Sequence, residues 1–262
     1  MNKTRMWAVV VKDWRELSRT KQTLLPVVML PVVFALLLPA TLIAAANQPQ
    51  ALSSIGFTEA WLSAMPGHVV ADPTRAMVEF VLAPVFLMIP MVIATVLATA
   101  SFVGEKERDT LEGLLFTPLT DRELVISKIL ATWIPAVAVT WGSALIYTAV
   151  VSALAKPWQH GWVFPNGTWL VLVGLIAPLA AFFAIGCIVL ISHRAATLQG
   201  AQAVAGLLVL PVILLIMSQV AGVVAFDAKL VFAVGLVLIF ANLMVFWFAV
   251  YRFDRDRIVT RL

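Results

Sequence analysis

Long uncharged apolar runs alternate with short charged connections along this chain, and no other feature restricts its fold as much. Six runs qualify, at residues 24–46, 80–102, 129–154, 168–192, 200–225 and 230–251. A helix that crosses a bilayer needs about 20 consecutive apolar residues, and each run supplies that length. Only 12% of the 262 residues are charged and 62% are hydrophobic, whereas soluble domains carry about 25% charge. A soluble fold of this size cannot bury so much apolar surface, so the solvent must be lipid. Lipid offers the backbone no hydrogen bonds, so each run must satisfy its own, as a helix. The expected fold is an all-α integral membrane protein. A segment over 1–23 precedes a single six-helix transmembrane domain over 24–262.

The first run carries Pro26, Pro31 and Pro39, which should bend it; neighbouring helices can satisfy the carbonyls that proline frees. Ala44-Ala45-Ala46 imitates a signal-peptidase site. A signal peptide has a shorter apolar region of roughly 7–15 residues, so the run reads as a retained span. Before it, Trp7, Val10, Val11, Trp14 and Leu17 recur at helical spacing among Lys3, Arg5, Lys12, Arg15, Arg19 and Lys21. A basic amphipathic helix with tryptophan suits the membrane interface; the plainer alternative is a tail whose charge only orients the first span.

Basic residues set the orientation. With six spans both termini share a side, which collects six Lys/Arg before the first run, four between Lys106 and Lys128, Arg194, and four in the tail. Those fifteen face only Arg75, Lys156 and Lys229 on the other side. The positive-inside rule puts both termini in the cytoplasm of a multi-pass cell-membrane protein. Residues 47–79 lie outside, with a short interfacial helix expected over Ile55–Leu62.

Several functions lack their residues. No run has a charged residue or histidine at its centre, which argues against an ion-coupled pump. No Gly-Lys dipeptide exists, so the chain has no phosphate-binding loop and no ATP hydrolysis of its own by that route. His68, His160 and His193 are scattered over loops and predict no metal site. Ser143, Ser152 and Ser218 have no base nearby in sequence, and no catalytic residue is expected. Basic residues beside apolar runs do not make a nucleic-acid surface. The lone Cys187, inside an apolar run, reads as a small buried hydrophobe.

Ten charged residues crowd the connection between Glu105 and Lys128. Glu105, Arg108, Asp109 and Glu112 fall on one helical face, and Leu111, Leu114 and Leu115 on a neighbouring one. Thr117-Pro118 should end that helix, because the residue before proline avoids the helical region. Thr120-x-x-Glu123 is a capping box and should start the helix that runs through Lys128 into the third span. A simple solvated loop has no need of an apolar stripe, which must pack on the N-terminal helix or on a partner.

The stretch Gly104-Glu105-Lys106-Glu107-Arg108-Asp109-Thr110-Leu111-Glu112-Gly113-Leu114-Leu115-Phe116-Thr117-Pro118, followed by Glu123-Leu124 and Lys128, resembles the signature of ABC-2 type permeases. These are the membrane subunits of ATP-binding-cassette exporters. Asp109 and Ser127 replace glycines of that pattern. The six-span layout and basic amphipathic start extend the resemblance over the whole chain. It implies a cytoplasmic coupling helix over 104–118, with Glu105, Glu107, Arg108, Thr110, Leu111, Glu112, Leu114, Leu115, Thr117 and Pro118 engaging an ABC ATPase. Two ATPase subunits, which bind ATP and Mg, would pair with two permease copies in a membrane of prokaryotic type. The resemblance also implies a pathway between the copies, near spans two and five, with Met88, Met91, Thr95, Gln202 and Met217 as its candidates. Apolar walls suit export of a hydrophobic or amphipathic substrate. A membrane-bound enzyme and a non-transporting scaffold are the competing readings.

Overall fold

The structure is a computed structural model that describes residues 3–46, 73–107, 120–159, 161–192, 197–220 and 228–251. The described residues are mostly helical and contain no strand. A helix α1 (Lys3–Leu17) comes first. Six helices long and apolar enough to cross a membrane follow: α2 (Lys21–Ala46), α3 (Met77–Glu105), α4 (Arg122–Leu154), α5 (Gly167–Ser192), α6 (Leu198–Ser218) and α7 (Lys229–Phe248). The expected helix over Ile55–Leu62, residues 108–119 and the basic tail lie outside the described residues.

Proline placement explains an irregularity shared by three spans. Widened π turns occupy Val32–Leu37 in α2, Met77–Leu82 in α3 and Leu172–Ile176 in α5. In each case a proline stands two residues further on, at Pro39, Pro84 and Pro178. Proline lacks an N–H, and its ring presses on the carbonyl four residues back. An i→i−5 turn moves that carbonyl aside while the residue before proline keeps its bond: Leu38 N–H donates to Val33 O, and Ala177 N–H to Leu172 O. A neighbour then uses a freed carbonyl, as Trp141 Nε1 on α4 donates to Val173 O at 3.2 Å; Trp133 Nε1 donates to Pro178 O, in the regular segment beyond the turn, at 3.0 Å. Pro26 and Pro135 sit in regular α segments, so proline favours the wide turn without imposing it.

Capping sets where α4 and α5 start. Thr120 and Glu123 form the expected capping box, with both reciprocal bonds present. The helix therefore begins before the apolar run at residue 129 and carries Lys128 on its first turns. Asn166 caps α5 by accepting from Trp169 N–H at 2.8 Å. Its amide also donates to Glu79 Oε1 at 3.0 Å, while Arg75 Nε pairs with Glu79 Oε2 at 3.3 Å. Beneath these polar contacts Tyr147 is fully buried, stacked on Trp169 with centroids 4.5 Å apart and edge-on to Phe86. That cluster pins α3, α4 and α5 together at the end of the bundle away from α1.

Helix α3 is the hub. It packs on α5, α4, α6 and α2, and 71% of its apolar stretch is buried, against 17% in α2 and in α7. Ala94 and Ala98, both fully buried, give it the small-residue face that lets neighbours approach. The apolar faces left open on the outer helices, such as Leu25, Leu214 and Phe240, suit a hydrocarbon solvent.

Candidate functional site

Helix α1 lies against α4 and α3 and buries Met6, Val9, Val10 and Asp13, at the i, i+3, i+4, i+7 spacing of one helical face. This differs from the stripe expected from sequence. Of Trp7, Val10, Val11, Trp14 and Leu17, only Val10 is fully buried; Trp7 is exposed, and Val11, Trp14 and Leu17 are half-buried. The buried face is turned by about a quarter of a revolution, because a carboxylate belongs to it. The two tryptophans flank that face, edge-to-face at 5.6 Å, and Trp14 Nε1 donates to Ala131 O on α4 at 2.8 Å.

Asp13 meets two other buried charges. Glu105 ends α3 and Lys128 opens α4; their side chains and that of Asp13 are only 2–4% exposed. Lys128 Nζ lies 2.5 Å from Glu105 Oε2 and 3.8 Å from Asp13 Oδ2. It also donates to Ser101 O at 2.8 Å and sits over the Phe102 ring, 5.5 Å from its centroid. Ser101 Oγ donates to Asp13 Oδ2 at 2.9 Å. From α1, the half-exposed Lys12 reaches Glu105 Oε1 at 2.5 Å. Glu105 thus receives one ammonium from α1 and one from α4. A buried charge is tolerated only when paired and hydrogen-bonded, so this cluster acts as a lock with a single solution. It fixes α1 across the point where the chain leaves α3 and re-enters α4.

Burial pushes the Asp13 carboxyl above its ordinary value; Glu105 adds to the push, and Lys128, the Ser101 hydroxyl and Lys12 oppose it. For Lys12, burial acts downward, but its bond to Glu105 and the nearby carboxylates prevail, and its pKa is raised. Asp13 Oδ1 makes no hydrogen bond among the described residues. Asp13 lines a cavity of about 30 Å³ with Thr23, Ser101, Glu105 and Gln202, room for about one water molecule.

A second contact links the same end of α3 to α6. Glu107 Oε2 accepts from the N–H of Leu198, the first residue of α6, at 2.8 Å, beside Thr197, which caps Gly200 N–H. The end of α3 therefore carries two adjacent grips, Glu105 on α1 and α4 and Glu107 on α6. Of the expected coupling residues these two are described; Arg108, Thr110, Leu111, Glu112, Leu114, Leu115, Thr117 and Pro118 lie outside the described residues.

The five pathway candidates do not form one group. Met91 and Thr95 are buried in α3, with the Thr95 hydroxyl donating to Val92 O, and Met88 is half-buried. Gln202 lines the small cavity beside Asp13, whereas Met217 is exposed fifteen residues further along α6, about 22 Å away along the axis. Sequence reading missed the pairing of Asp13 with Lys128. The signal for it is an acid placed seven residues after Met6 on an otherwise apolar face.

The fold and this lock define a multi-pass helical membrane protein whose N-terminal helix is tied to the connection between its second and third spans. The model of the ABC-2 family transporter proteins matches residues 7–235, and the chain belongs to that family. It is accordingly a membrane transport subunit, and membership implies association with an ABC ATPase subunit. A comparison with curated proteins finds no match.

Proposed function

We propose that this permease exports a hydrophobic or amphipathic substrate across a prokaryotic cell membrane, with both termini in the cytoplasm. A separate ATPase, which binds ATP and Mg, drives it through the coupling segment 104–118. Two permease copies and two ATPase subunits form the working unit. The buried lock at Asp13, Glu105 and Lys128 is the observation that supports this reading most. A push on residues 108–119 reaches α3 through Glu105 and Glu107, the last residues before them. The lock passes it to α1 and α4, and the Glu107–Leu198 bond passes it to α6. Because burial leaves those charges few alternative partners, the elements move together or the lock breaks. The ATPase shifts the spans only if it binds their two arrangements with different affinity.

Glu105→Lys and Leu115→Asp test this reading. Neither residue lies at the centre of a span, so insertion should survive; Glu105→Lys puts a third cation into the buried lock and lowers stability, so stimulation is compared per folded complex recovered. Glu105→Lys should abolish stimulation of ATP hydrolysis by amphipathic compounds in proteoliposomes. Leu115→Asp should also reduce recovery of the ATPase with the permease. Normal stimulation in both variants, with the ATPase attached, would show that the segment serves only topology.

A further inference from the structure

Helices α5 and α7 meet tightly at one end and part at the other. A Cβ on Gly186 would overlap Val245 Cγ1, and Asn242 Nδ2 donates to Leu179 O at 3.0 Å, so here the two helices pack closely. Toward their N-terminal ends the wide turn Leu172–Ile176 interrupts α5, and α7 presents Gly235. A Cβ at Gly235 would stand 3.1 Å from Ile176 Cδ1. Between the helices lies a cavity of about 210 Å³, walled by Val171 and Leu175 of α5 and by Phe232, Leu236 and Ile239 of α7.

We propose that this slot holds one acyl chain of a bilayer phospholipid. Thr168 to Leu175 and Phe232 to Ile239 each span seven residue steps, about 10 Å at the helical rise. A cavity of about 210 Å³ drawn out over that length is a narrow channel, thinner than a helix about 10–12 Å across. An extended alkyl chain fits along it, whereas a whole helix does not enter it. The walls are apolar and open sideways, with Phe232 69% and Leu236 52% exposed, on helices of a membrane protein. An unfilled slot would forfeit dispersion contacts along its whole lining. Its mouth lies at the helix ends, where the Thr168 side chain lines the slot and Lys229 stands exposed one turn before Phe232. A lysine there suits a headgroup phosphate. The slot is remote from the lock, so the inference stands or falls independently of the coupling reading.

Native mass spectrometry of the full chain, released from detergent after delipidation, tests it. The wild type should retain one phospholipid per chain. Gly235→Leu fills the slot and should retain none. Phe232→Ser, at an exposed position that places no load on folding, should also lose it, and added phosphatidylglycerol should restore binding to neither variant. Equal phospholipid retention in the wild type and Phe232→Ser would overturn the proposal. So would a retained mass belonging to detergent or free fatty acid in place of phospholipid. A disulfide between copies carrying Phe232→Cys and Cys187→Ser, formed in native membranes, would also refute it, since this face would then be covered by protein.

Discussion

Lys128→Met removes the central cation of the lock while keeping its length and apolar stem. At an effective dielectric of about 20, a unit pair at 2.5 Å is worth roughly 7 kcal/mol and one at 3.8 Å roughly 4 kcal/mol. Those are the separations of Lys128 Nζ from Glu105 and from Asp13. Desolvation of the three charges offsets much of that attraction, at several kcal/mol per ion. Breaking the cluster from one side is another matter, because two carboxylates remain buried with the half-exposed Lys12 as their nearest described cation. The expected loss is about 3–5 kcal/mol. For a chain of this size that is a fall in Tm of about 6–20 °C, at roughly 2–4 °C per kcal/mol. Cys187 is the only cysteine and lies half-buried in α5. A thiol-reactive fluorogenic dye therefore reads the melt without any engineered label. Glu105→Gln combined with Lys128→Met removes two of the opposed charges together. The double variant should melt higher than the sum of the single losses implies, with a coupling energy of about 1–3 kcal/mol. A Tm fall below about 2 °C for Lys128→Met, or strict additivity in the double variant, would show that the charges are not held against one another.

The remaining predictions concern pH and packing. Because Asp13 binds its proton more tightly in the folded chain, its contribution to stability is greatest below the ordinary aspartate pKa of about 4 and is lost as pH rises through the folded value. Melts followed by tryptophan fluorescence across that range should show the wild type losing stability relative to Asp13→Asn as pH rises, and an unchanged difference would refute it. Lys12 binds its proton more tightly too, so Lys12→Met should abolish a further loss that sets in above pH about 10.5. Gly186→Ala forces a methyl against the stiff Val245 side chain and should cost about 1–3 kcal/mol. Adding Val245→Ala should recover most of that Tm loss, and no recovery would place the strain elsewhere.

Much of the architecture is legible in the chain because its causes are local. The number and type of the spanning helices follow from run length, since a backbone in hydrocarbon must bond to itself. The capping box of Thr120 and Glu123 needs only residues three apart, and the structure has it. Proline positions mark the sites of the wide turns, although Pro26 and Pro135 show that local sequence alone does not decide which prolines produce one.

Tertiary structure decided what no local pattern holds. Periodicity correctly makes α1 amphipathic, yet it points the helix by Trp7, Val11 and Trp14, whereas the structure buries Met6, Val9 and Asp13. An acid reads as solvent-facing until its partners are known, and those partners stand 88 residues away at Ser101 and beyond it at Lys128. Likewise Glu105 and Glu107 are two charges among ten in one connection. Only packing separates the one buried between Lys12 and Lys128 from the one that holds the start of α6. Hydropathy assigns each residue a solvent according to its own chemistry. The pairing of buried charges depends on which helices meet, and in this protein that is determined by the close packing of α1, α4, α5 and α6 around α3.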